Sequence, residues 1–102
     1  MKASCKRFLD EQFNNDAEVV GEIYAEYVAS LQEKLGELAA SVDAADWDLL
    51  DRLAHTVKGN ALVAGDTETA DTAIALRSAA KLQQEAEARQ LVARLRELSA
   101  EL

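Results

Sequence analysis

Hydrophobic residues recur every three or four positions along nearly the whole chain, which is the period of helices that each bury one face. The clearest run is Val20, Ile23, Tyr24, Tyr27, Leu31, Leu35 and Leu38. At helical spacing it falls within an arc of about 140°, and Glu18, Glu22, Glu26, Glu33 and Glu37 lie outside that arc. A second run comprises Trp47, Leu50, Leu53, Ala54, Val57, Ala61 and Ala64. Asp43 or Asp46 serves as its N-cap and Gly65 as its C-terminal glycine. Ser41 to Asp46, rich in short polar side chains, is the predicted connection between these two helices. Asp66 or Thr67 opens a third run with Ala70, Ala73, Ile74, Leu76 and Ala80, the weakest stripe because Arg77 interrupts it. Ala88, Leu91, Val92, Leu95 and Leu98 form the last, with Arg94 and Arg96 near its C-terminal end, where positive charge is favoured.

A shorter amphipathic segment, Lys6 to Phe13, carries Phe8, Leu9 and Phe13, ends at Asn14 and Asn15, and reads as a small cap helix. The stretch from Leu82 to Glu85 contains no glycine. Even so, one helix from Thr67 to Ala100 would be about 50 Å long and would leave half its apolar face without a partner, so a break is predicted there. Four principal helices with short connections predict an all-α, antiparallel up-and-down four-helix bundle with a short N-terminal cap helix. The absence of proline and the abundance of alanine and leucine agree with helix nearly everywhere.

At 102 residues the chain is expected to be one domain, spanning 1–102. A net charge of −8 opposes contact with a phosphate backbone, so nucleic acid is not an expected partner. No apolar run approaches the roughly 20 residues that span a bilayer, and the first residues lack the apolar segment of a secretory signal. A cytoplasmic protein without membrane attachment is expected. Cys5, the only cysteine, has no intrachain disulfide partner. Cys5 and a single histidine fall far short of a zinc ligand set, and no acidic cluster has the spacing of a calcium loop. No metal or cofactor bound by the chain itself is expected. Trp47, Tyr24, Tyr27, Phe8 and Phe13 mostly fit apolar helical positions and read as packing residues rather than a ligand box.

That single histidine, His55, carries the candidate chemistry. On a helical projection the apolar stripe of its helix lies on the far side, whereas Asp48, Asp51, Arg52, Lys58, Gly59 and Leu62 fall within about 60° of it. The imidazole is therefore expected to reach water. Gly59, one turn on, removes a side chain that would crowd the ring, at a helix cost of about 1 kcal/mol. Lys58 can place an ammonium beside a charged group held on the ring. Leu62, two turns on, offers a partner an apolar contact. A neutral imidazole, with an ordinary pKa near 6.5, keeps one ring nitrogen free as a nucleophile while the other donates a hydrogen bond. Attack on phosphorus would yield a phosphorylated imidazole without a metal in this chain. No glycine-rich nucleotide loop is present, which argues against an autonomous ATP-dependent kinase.

The segment Ala54-His55-Thr56-Val57-Lys58-Gly59-Asn60-Ala61, followed by Gly65, resembles the histidine-containing phosphotransfer (HPt) domains of two-component phosphorelays. In that family a lysine and a glycine follow the histidine at the third and fourth positions. The resemblance implies that His55 accepts and donates a phosphoryl group, exchanging it with the aspartate of a response-regulator receiver domain. It assigns Lys58 to the phosphate and Gly59 to the docking surface, which Leu62, Arg52 and Asp51 would extend. Gly65 has a structural place at the helix end. Mg2+ belongs to the receiver, and a hybrid histidine kinase is the other partner the family suggests; a monomer is expected. Asn60 stands where the family commonly has serine, and Arg77 stands in a region where an acidic residue is common. A surface histidine on a noncatalytic helical module that binds a signalling partner is the competing account.

Overall fold

Short acidic side chains start three of the five helices in the computed structural model, which describes all residues from Met1 to Leu102. The helices are α1 (Ala3–Gln12), α2 (Ala17–Asp43), α3 (Trp47–Ala64), α4 (Thr67–Lys81) and α5 (Glu85–Ala100). Asp16, Asp46 and Asp66 each accept a hydrogen bond from the backbone N–H three residues on, at 3.3, 3.2 and 3.4 Å. Each thereby satisfies one of the amide donors that a helix start leaves unpaired.

The helix ends share a second device. After α3, the Asp66 N–H donates to the Ala61 carbonyl and the Gly65 N–H to that of Leu62, with Gly65 in the left-handed region at φ 74°. This is the paired closure in which a residue of positive φ reverses the chain. The same pair recurs after α2, with Ala45 at φ 54°, and after α4, with Gln83 at φ 53°. The break between the last two helices is therefore real although no glycine marks it. One predicted boundary moves: Ser41 is not in a connection but is buried in the last turns of α2, where its hydroxyl donates to the Glu37 carbonyl at 2.9 Å.

In the resulting ring α2 packs on α3, α3 most extensively on α4, α4 on α5, and α5 back on α2, while α1 lies across α2 and α3. This is the predicted antiparallel bundle with an N-terminal cap helix. Leu31, Leu35, Leu38, Leu50, Val57, Leu76, Val92 and Leu95 belong to one continuous core. Cys5 and Leu9 of α1 join Val20 and Tyr24 in a smaller cluster at one end. Four apolar residues differ from expectation. Ile74 is 50% exposed, because the buried stripe of α4 is set by Thr69, Ala73, Leu76 and Ala80 and leaves Ile74 about 130° from its centre. Phe13, just beyond α1, is exposed. Leu53 and Trp47 border the core and are only half-buried.

Asp66 combines its cap with a tertiary role. Fully buried, it accepts from the Tyr27 hydroxyl at 2.6 Å, the Thr69 hydroxyl at 2.7 Å and the Lys2 ammonium at 2.9 Å. Lys2 just precedes α1, so one carboxylate links the cap helix, α2 and the α3–α4 turn. Every buried side-chain polar atom in the protein has a partner.

Candidate functional site

His55 lies at the middle of α3 and is exposed. The core face of the helix is set by Leu50, Ala54, Val57, Ala61 and Ala64, all buried, which rotates His55 outward. Arg52 and Leu62 are exposed on the same side, Leu62 by 50%, and neither Arg52 nor Lys58 forms an ion pair within the protein. The Lys58 ammonium is thus uncommitted one turn from the imidazole. Around Gly59 there is open space: an added Cβ would meet nothing within 4 Å. Nothing in the chain itself requires a glycine there. Gly65 is different, since a side chain would be strained by its positive φ and would lie 2.6 Å from Phe8 Cγ.

Helical spacing on α3 alone gives Arg77 no part in the site. The structure does: Nη1 donates to His55 Nδ1 at 3.0 Å, and Nε donates to Asp51 Oδ1 at 2.8 Å. Asp51 is therefore the anchor of an arginine laid against the ring. The hydrogen bond from Arg77 holds the Asp51 carboxyl below the usual carboxylate range. A signal for this contact was present in the chain. His55 and Arg77 lie eleven residues before and after Asp66, so a helical hairpin turning at Gly65 brings them level. Arg77 also interrupted the α4 stripe, as a residue at the edge of a helix interface does. Asn60 turns away from the site and its amide donates to the Ser30 hydroxyl on α2 at 3.3 Å.

Beyond Leu62 the surface continues into a shallow groove against α1, lined by Arg7, Phe8, Gly65 and Thr67 among others. Ile74 adds a second exposed apolar side chain, one turn before Arg77 on α4. No group of three or more His, Cys, Asp or Glu side chains is arranged to hold a metal ion, and no helix is long and apolar enough to cross a membrane. The site comprises one exposed imidazole, one unpaired ammonium, one tethered guanidinium and an adjoining surface with open space at Gly59.

An all-α bundle with a lone exposed histidine midway along its third helix is what the resemblance in the sequence implies. The comparison with protein families agrees: the Hpt domain model matches residues 22–102, and the chain belongs to the Hpt domain family. Membership gives it a role in phosphorelay signalling, and with it dealings with receiver or kinase domains. No curated protein and no solved structure matches the chain. The matched residues hold α3 to α5 and most of α2, whereas α1 precedes them.

Proposed function

We propose that His55 is the phosphoacceptor of this Hpt domain and exchanges a phosphoryl group with the aspartate of a response-regulator receiver domain. The observation that carries this reading is the exposed imidazole with an unpaired ammonium one turn away. In the forward step a ring nitrogen forms a bond to phosphorus as the bond from phosphorus to the receiver's carboxylate oxygen breaks, and its electron pair returns to that carboxylate. Lys58 offsets charge on the moving phosphoryl group, which matters in a protein of net charge −8. Gly59 and Leu62 form the docking surface, the first by leaving room and the second by apolar contact; Arg52 contributes a cation at its margin. Mg2+ belongs to the receiver, where it balances the acyl phosphate.

Residues 1–102 act as one module in this reading. The ties of Lys2 to Asp66 and of α1 to the smaller core cluster support including the cap helix. The module works as a monomer in the cytoplasm, carrying phosphate rather than making it from ATP, with a hybrid kinase or its receiver as donor. The test is discharge of a phosphorylated receiver domain onto the purified protein, followed by mass spectrometry. Acid-labile phosphate on His55, lost in His55→Gln, is the expected result. Equal labelling of His55→Gln, or receiver binding with no phosphate acquired, would leave a noncatalytic interaction module instead.

A further inference from the structure

Arginine is a donor only; its guanidinium keeps its protons in proteins and offers no acceptor. At 3.0 Å from Arg77 Nη1, His55 Nδ1 must therefore be the acceptor, with its lone pair directed at the guanidinium. A neutral imidazole has one proton to place, and here it must sit on Nε2. Nε2 makes no hydrogen bond within the chain. A ring nitrogen that carries a proton has no in-plane lone pair with which to attack phosphorus, and the nitrogen that has one is covered. The contact thus favours the less reactive tautomer of the exposed histidine.

We propose that Arg77 is a positioning residue that sets the tautomer of His55, disfavouring the reactive form in the free protein and releasing it when a partner draws the guanidinium away. This deepens the phosphotransfer reading and rests on it. The planar guanidinium moves as one unit, so a partner that draws Nη1 from His55 also loosens the 2.8 Å contact of Nε with Asp51. The charge that a receiver brings, an acidic pocket and phosphoryl oxygens, attracts the guanidinium through charge-assisted hydrogen bonds. Once Nη1 leaves Nδ1, the Nε2 proton passes to water and a proton from water binds Nδ1. Nε2 then forms the bond to phosphorus as the acyl oxygen–phosphorus bond breaks and its electron pair stays on the carboxylate. Loss of the Nδ1 proton to water restores a lone pair there, to which Arg77 returns.

Two substitutions separate this role from simple packing. In Arg77→Lys the side chain is still a donor only, whereas in Arg77→Gln it can accept from an Nδ1 proton and so permits the reactive tautomer. Because His55 is the only histidine, long-range nitrogen–proton correlation spectra of the neutral, unphosphorylated ring are unambiguous. They are expected to show the proton on Nε2 in the wild type and in Arg77→Lys, and a shift toward Nδ1 in Arg77→Gln. Phosphorylation by phosphoramidate, a small donor that needs no docking, should run about five-fold faster in Arg77→Gln than in Arg77→Lys, equivalent to about 1 kcal/mol or one net hydrogen bond. A wild-type ring with its proton on Nδ1, or an Arg77→Lys rate equal to or above that of Arg77→Gln, overturns the proposal. If the tautomers behave as stated but neither phosphoramidate nor a phosphorylated receiver labels any of the three proteins, the phosphotransfer reading falls while the tautomer assignment stands.

Discussion

At the scale of single residues, Lys58 and Gly59 differ in what the fold asks of them. Lys58 has no ion pair to lose, so Lys58→Ala should leave thermal unfolding nearly unchanged. It should slow phosphoryl transfer from a receiver about ten-fold, which is about 1.4 kcal/mol of transition-state stabilisation. A fall in melting temperature without a transfer defect would contradict the proposed role. Gly59 gives the opposite pairing of effects. Its surroundings are open within the chain, so Gly59→Gln should stabilise α3 by up to about 1 kcal/mol in urea denaturation while obstructing receiver docking and transfer. A variant that is both more stable and fully active would show that the space at Gly59 has no docking use. The histidine, lysine and glycine were legible in the sequence because they lie on one helix, where spacing alone puts them on one face. Arg77 required the pairing of two helices.

Among the helical elements, the connections repeat one geometry with unequal residues. Gly65, Ala45 and Gln83 all take positive φ at the same position of the closure, but only glycine does so without crowding its Cβ. Gln83→Gly should therefore stabilise the bundle by about 1 kcal/mol. Gly65→Ala should destabilise it by more than that, since backbone strain adds to the clash with Phe8. Parallel urea titrations measure both, and equal signs would contradict this account. The stop at Gly65 is readable from residue type, and the caps at Asp46 and Asp66 each as one of two candidates, beside Asp43 and Thr67. The stop at Gln83 was argued only from the length of the alternative helix, since glutamine carries no turn preference. Ile74 was misplaced for a related reason: a stripe made largely of alanine has an ill-defined centre, and only packing against α3 and α5 settles which side faces inward.

For the molecule as a whole, a rod of 42 × 19 × 19 Å presents the site on one side, and Asp66 ties the pieces together near one end of α3. Burial alone would raise the Asp66 carboxyl, but hydrogen bonds from Tyr27, Lys2 and Thr69 outweigh it and hold the group below its ordinary range. A carboxyl depressed in the folded state contributes stability above its unfolded pKa of about 3.9. That contribution is lost as pH falls through the folded value. Asp66→Asn should cost about 3 kcal/mol at neutral pH, and the gap to wild type should narrow below about pH 4. Denaturation at several pH values checks this, and a constant gap would show that the charge of Asp66 is not what stabilises. Lys2 is raised despite its burial, through Asp66 and Glu68, so its share is present at neutral pH and lost only as pH rises through the folded value in strong alkali.

Local order along the chain determined the helices, their caps, the exposure of His55 and its company of Lys58, Gly59 and Leu62, because all of these follow from spacing on a single helix. Which residues from different helices meet was decided only by the packed bundle: Arg77 with His55 and Asp51, and Lys2 and Tyr27 with Asp66. Helical periodicity acts over three or four residues and gives each side chain a direction. A partner across a helix interface depends on how two helices slide and rotate against each other, and that is set by the fit of their buried side chains.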